Sequence, residues 1–215
     1  MNTKKMLSFA LAGVMSLSLM ACSSQNSGTA SEDASSPGSN QTASEPQNNE
    51  APESLTITSL NANKEAAELE VPYDPQRIAI LDMASLDILD ALGVGDRVVG
   101  TAETSLDYLQ DYIHDDIADL GTIKEADLEA VMACEPDVIF IGGRLAASYD
   151  ALSEIAPVVY LATDTELGVV ESVRQNATTI ASMFGLEDKV DELMAGFDAR
   201  ITALSEFAAD KTAIV

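Results

Sequence analysis

Asp127-Leu-Glu-Ala-Val-Met-Ala-Cys-Glu-Pro-Asp-Val-Ile-Phe-Ile141 changes its hydrophobic period at Pro136, and that change decides the fold. Before the proline, Asp127 can cap a helix that sets Leu128, Val131 and Met132 on one face, and Pro136 ends it. After it, Asp137 to Ile141 is apolar throughout, as a strand covered on both faces should be. The same alternation continues in both directions. Upstream, Arg77-Ile-Ala-Ile-Leu81 reads as a buried strand, and Ser85 to Leu92 as an amphipathic helix stopped by Gly93. Arg97-Val-Val-Gly-Thr101 is a further short strand, followed by a weaker helix around Leu106 to Ile113. Downstream come a helix from about Leu145 to Ile155 and a strand at Val158 to Leu161. The order βαβαβ, with connections of helix length, predicts an α/β fold: a parallel sheet with helices on both faces and right-handed crossovers.

Beyond Leu161 the pattern becomes helical. Glu166 to Phe184 is one helix. Leu186 to Phe207 is a second, with Leu186, Val190, Leu193, Met194, Phe197, Ile201 and Leu204 spaced by threes and fours. Lys211 to Val215 has the character of another buried strand, which points to a second, C-terminal α/β lobe missing from this sequence. At the other end, Lys4 and Lys5 precede an uncharged apolar run from Met6 to Met20, shorter than the roughly 20 residues a spanning helix needs. That is an export signal. Its closing Leu19-Met-Ala-Cys22 resembles the lipobox of bacterial lipoproteins, which implies acylation of Cys22 and a membrane anchor. Ser23 to Glu53 holds no Val, Ile, Leu, Met, Phe or Tyr and cannot offset its ordering entropy, so it reads as a disordered tether. The expected segments are thus a signal at 1–21, a tether at 22–53, an α/β lobe at 54–165, a helical segment at 166–208 and the start of the further lobe at 209–215.

Eleven Lys plus Arg stand against 36 Asp plus Glu, a net charge of −25. Loss of the signal removes Lys4 and Lys5, leaving nine cations and a balance of −27. Nucleic acid and anionic lipid surfaces are therefore poor partners, and no nucleic acid is expected. With Cys22 assigned to the anchor, Cys134 is a lone thiol in a helical pattern, where a buried structural role is expected. His114 is the only histidine, and no nucleophile elbow, phosphate loop or zinc-protease motif occurs. No enzyme activity, catalytic residue, cofactor or protein-bound metal is expected. In a parallel sheet ligands collect beyond the carboxyl ends of the strands, which here means the loops at Asp82-Met83-Ala84, Thr101-Ala102-Glu103 and Gly142-Gly143-Arg144.

Ile78 to Asp164 resembles the N-terminal lobe of iron–siderophore-binding lipoproteins of bacterial ABC importers, whose two lobes are joined by one long helix. The resemblance rests on Leu81-Asp-Met-Ala-Ser-Leu-Asp-Ile-Leu-Asp-Ala-Leu-Gly93, on Leu120-Gly-Thr-Ile123 with Asp127 to Ile139, and on Ile141-Gly-Gly-Arg-Leu-Ala-Ala-Ser-Tyr-Asp150 before Ile155-Ala-Pro157. The middle phrase marks the wider family, which also takes up haem and cobalamin; the Gly-Gly-Arg phrase is similar to the catecholate branch, nearest to petrobactin- and enterobactin-type binders. The resemblance implies a monomeric extracytoplasmic protein, lipid-anchored at the outer face of the cytoplasmic membrane, that captures a ferric siderophore and hands it to an ABC permease. A ferric catecholate is anionic, so in so acidic a chain its capture rests on local cations within a Debye length of about 8 Å. Arg144 fits: it follows two glycines, stands at the start of a helix, and can bond two catecholate oxygens with one planar fork. Pairing with Asp150 or Glu154 is the alternative for Arg144, and plain packing the alternative for Tyr149. Candidate ligand-binding residues are Arg144, Gly143, Asp82, Met83, Thr101 and Tyr149. Glu129, at the Leu-Glu position of the family phrase, is the expected permease-docking carboxylate, left outside by a stripe of Leu128, Val131 and Met132. Haem or cobalamin binding, and a lipid-anchored surface adhesion module, are the competing functions.

Overall fold

Strand β3 (Ile78–Leu81) and strand β8 (Val138–Ile141) are buried at every position and pair in parallel, Ile78 opposite Val138 and Leu81 opposite Ile141. They form the centre of a five-stranded sheet in a computed structural model that describes residues 52–209. Expectations for the export signal, Cys22, the tether up to residue 51 and the strand from Lys211 lie outside the described residues. Strands β4 (Val98–Thr101) and β5 (Ala118–Asp119) extend the sheet on one side and β9 (Val158–Tyr160) on the other, giving the order β5-β4-β3-β8-β9, all parallel. The expected parallel, doubly covered α/β sheet is what the chain forms.

Side chains of alternate residues define two cores, as the two-residue period of a strand requires. On one face Ile78, Ile80, Val138, Phe140 and Val159 meet helix α1 (Met83–Leu92) and helix α4 (Val169–Ser182), with Val190 and Met194 of helix α5 (Glu187–Ala208). On the other face Ala79, Leu81, Ile139, Ile141, Val158 and Tyr160 meet helix α2 (Leu128–Ala133) and helix α3 (Tyr149–Ser153). Burying one such Leu, Ile or Phe is worth about 1.5–3 kcal/mol, so the central strands hold most of the stabilising contact. Helix ends follow their local chemistry. Asp82 and Asp127 cap α1 and α2, and Gly93, at φ 77°, ends α1 with a left-handed turn that costs glycine nothing. Arg174 ties α4 to α5, donating to Asp198 at 2.7 Å.

Five local expectations are corrected. Ser54–Leu60 (β1) and Ala66–Pro72 (β2), which were not expected as elements, pair as an antiparallel hairpin over their whole length. Its turn is closed by Asn61, whose side chain accepts from the Asn63 and Glu65 amides. Buried Ser59 fastens the hairpin to the end of β9, its Oγ accepting from the Tyr160 amide at 2.9 Å. The stretch from Leu106 to Ile113 is a 3-10 turn, Asp107–Tyr112. That from Leu145 to Ile155 is a 3-10 turn, Gly143–Ser148, followed by the five-residue α3. In α2 only Val131 is buried, while Leu128 and Met132 are exposed at 38% and 62%; the short helix is seated through Val131 and Cys134, which turns the expected stripe outward. In α5 only Val190 and Met194 of the expected apolar face are buried, and Leu193, Phe197 and Leu204 are exposed. The chain between Asp119 and Asp127 adds a tight hairpin, β6 (Gly121–Thr122) with β7 (Glu125–Ala126).

Candidate functional site

The strand order makes the crevice. From β3 the chain moves outward to β4 and β5, then returns to the opposite side of β3 for β8 and β9. The loops leaving β3 and β8 therefore diverge to opposite faces, and a gap opens between them at the carboxyl edge. A cavity of about 250 Å³ lies there, lined by Leu81, Asp82, Met83, Ala84, Ile123 and the Gly142-Gly143-Arg144 loop.

Each part of the loop is shaped by a neighbour. A Cβ at Gly142 would stand 2.6 Å from Asp82 Oδ1, and one at Gly143 would stand 3.2 Å from the Tyr160 hydroxyl. A side chain at Gly142 would displace the Asp82 carboxylate, and one at Gly143 would press on the Tyr160 hydroxyl. Asp82 is committed to its own helix: Oδ2 accepts from the Ser85 amide at 3.0 Å and from its hydroxyl at 2.9 Å. Its charge is thus absorbed by the start of α1. Arg144 is exposed and forms no hydrogen bond or ion pair among the described residues, so neither Asp150 nor Glu154 holds it. The short 3-10 turn beneath it gives far less helix dipole than a full helix start supplies. Positive charge at the crevice is therefore that of the guanidinium itself.

Of the residues picked out by sequence, Asp82, Met83, Gly143 and Arg144 meet in this one cavity. Thr101 does not: it is buried at the end of β4, its hydroxyl donates to the Ala102 carbonyl, and it borders a separate cavity with Glu103 and His114. Tyr149 opens α3 half-buried against the second core, where burial raises its phenol above the ordinary value. Glu129 is exposed in the first turn of α2, between exposed Leu128 and Met132. Cys134 is buried, and burial pushes its thiol up against the opposing pull of Arg77, which favours the neutral thiol. Ile123 was missed, because its place at the cavity depends on the β6–β7 hairpin, too short to give a periodic signal. Among the described residues no group of three or more His, Cys, Asp or Glu side chains is placed to hold a metal ion.

A three-layer α/β/α sheet with its crevice beside β3 and β8 is accompanied by a match of the Periplasmic binding protein family to residues 78–214, and the chain belongs to that family. Among similar proteins, the petrobactin-binding protein YclQ of Bacillus subtilis is 39% identical over 140 residues, covering 65% of this chain and 44% of its own length. The probable siderophore-binding lipoprotein YfiY of the same organism is 30% identical over 148 residues, covering 66% and 43%. The crystal structure of YclQ superposes with a TM-score of 0.67 at 35% identity, over 74% of this chain and 54% of that one. That of the catecholate-siderophore-binding protein VctP of Vibrio cholerae gives 0.64 at 27% identity, over 72% and 55%. The chain spans about half the length of the relatives it matches.

Proposed function

We propose that this chain is the N-terminal lobe of an extracytoplasmic solute-binding protein that captures a ferric siderophore, of the catecholate kind, and delivers it to an ABC permease. The observation that carries the reading is Arg144, unpaired among the described residues, behind two glycines at the crevice of the sheet. In a chain of net charge −25, Arg144 places an uncompensated positive charge beside the crevice. An anionic chelate whose iron is already fully coordinated asks for that: planar donors, and no ligand from the protein. Relatives named for binding petrobactin, ferric anguibactin and a catecholate siderophore support the same chemistry. The crevice offers one wall of a cleft, and the reading assigns the facing wall to a second lobe. Calorimetric titration of the full-length protein with iron(III)–petrobactin, iron(III)–tris(catecholate), haem and cobalamin tests it. Tight binding of the ferric chelates and not of the other two is expected; a preference for haem or cobalamin overturns the ligand class.

Two partner surfaces belong to the same proposal. Glu129, exposed between Leu128 and Met132, is the docking carboxylate for the permease. Glu129→Arg should leave siderophore affinity unchanged and lower iron uptake by cells severalfold, and unchanged uptake removes the assignment. Cys22 is the lipid attachment site. Cys22→Ser should shift the protein out of the membrane fraction without changing its melting temperature; continued co-sedimentation with membranes rules the anchor out.

A further inference from the structure

Tyr160, the last residue of β9, carries a polar group that no contact of the fold uses. Its ring is packed in the second core, and the residue is 2% exposed. Its backbone is fixed by buried Ser59, which accepts from the Tyr160 amide at 2.9 Å and whose hydroxyl donates to the Tyr160 carbonyl at 3.4 Å. The phenolic oxygen, by contrast, has no hydrogen-bond partner among the described residues. No fully buried side-chain nitrogen or oxygen of the described residues lacks a partner, so this unpaired hydroxyl reaches the surface at its tip. Buried tyrosines ordinarily give the O–H a partner, which makes the omission informative.

The tip lies beside Gly143, where a Cβ would approach it to 3.2 Å. Gly143 lines the crevice together with Arg144. The two glycines are thus flanked by Asp82, whose Oδ2 is engaged as a helix cap, and by Tyr160, whose hydroxyl is unoccupied. Desolvation holds the phenol above its ordinary value of 10.0. At physiological pH it is therefore a neutral O–H, able to donate to an anionic oxygen without adding to the negative charge of the chain.

We propose that Tyr160 is a ligand-contacting, specificity-determining residue of this site: its hydroxyl, uncovered by the absence of a side chain at Gly143, donates to a negatively charged catecholate oxygen of the chelate held by Arg144. The proposal rests on the siderophore reading given above and adds a neutral donor to its single cation. It also gives Gly143 a reason beyond backbone freedom, since an added side chain would cover the donor. A site built around an unpaired donor discriminates strongly against ligands that offer it no acceptor.

The test is a calorimetric titration of the full-length wild type, Tyr160→Phe, Gly143→Ala and the double variant with iron(III)–petrobactin, alongside melting of each protein without ligand. Tyr160→Phe keeps the ring and removes only the hydroxyl. It should weaken binding about tenfold with the melting temperature of the free protein unchanged, in line with a hydrogen bond to a charged acceptor. Gly143→Ala should weaken binding by a similar factor alone and add little once the hydroxyl is gone. Equal affinities for wild type and Tyr160→Phe, or fully additive losses in the double variant, overturn the proposal. Failure of the wild type itself to bind the chelate is a separate result that strikes the siderophore reading.

Discussion

The two edges of the central sheet treat their polar groups in opposite ways. At the amino edge Asp137, Arg77 and Arg97 are all paired. Asp137 accepts from the Gln76 and Arg77 amides at 2.7 and 2.9 Å, Arg77 Nε donates to the Cys134 and Glu135 carbonyls at 3.0 Å, and Arg97 donates to Asp74 at 3.0 Å. At the carboxyl edge Arg144 and the Tyr160 hydroxyl are left without partners among the described residues. The same residue types serve both edges, so residue type does not separate structure from binding. Completion of the polar groups does: a closed edge stabilises the lobe, and under the proposed reading the open one is left for a ligand.

Substitutions at the two edges should therefore have effects of opposite kind. The largest is expected at the open edge. Arg144→Ala in the full-length protein should weaken ferric-siderophore binding about tenfold to a hundredfold, the loss of one or two charge-assisted hydrogen bonds of roughly 1.5–3 kcal/mol. Unfolding free energy should move by no more than about 0.5 kcal/mol. Arg144→Lys should restore only part of the affinity, because an ammonium lacks the planar fork; calorimetry on the three proteins reads both effects. If Arg144→Ala melts early instead, the contrast between the edges is lost.

At the closed edge the sign reverses. Asp137→Ala removes the acceptor of two backbone amides that join the entries to β3 and β8, and should cost about 1–2 kcal/mol in urea unfolding while leaving the affinity of the folded protein intact. A fall in affinity without a fall in stability would show the amino edge to be coupled to the crevice. The smallest effect is a matter of pH. Tyr112, over Gly95 just before β4, donates to Asp90 at 2.7 Å. Burial, and then that bond, hold its phenol above the ordinary value of 10.0. Because the folded form keeps the proton longer than the unfolded one, this stabilisation is complete at neutral pH and fades as pH rises beyond about 10. Tyr112→Phe should lose about 1 kcal/mol at pH 7 and show a shallower alkaline decline; parallel decline in both proteins would place the sensitivity elsewhere.

The contrast also explains what the sequence disclosed. β3, β8 and β9 were legible because burial on both faces leaves an unbroken apolar run. Gly93, Asp127 and Pro136 acted as boundaries because their effects are local. The β1–β2 hairpin was not anticipated, since Thr, Ser and Glu fill its outward positions and it abuts a polar tract, leaving Ile57 and Val71 as its only buried apolar residues. The outward turn of Leu128 and Met132 in α2 reflects seating through Val131 and Cys134, and six residues are too few for periodicity to fix a face. At the site, Arg144 and its glycines stood out by composition and by resemblance. Tyr160 did not, because as the end of an apolar strand it looks like any core tyrosine, and only the placement of its hydroxyl separates it.

The Ser59 link gives the hairpin a mechanical meaning. The chain enters the lobe at Ser54, where β1 lies opposite Pro72, the end of β2 that leads into the sheet. A pull arriving from the N-terminal side would therefore load the hairpin as a zipper, opening one rung at a time from Ser54. Ser59, near the far end of β1 and bonded to the backbone of Tyr160, is among the last points to yield. Peeling the rungs from Ser54 as far as Ser59 releases slack before the load reaches the Ser59–Tyr160 bond, and opening the whole of Ser54 to Pro72 would free about 65 Å of extended chain.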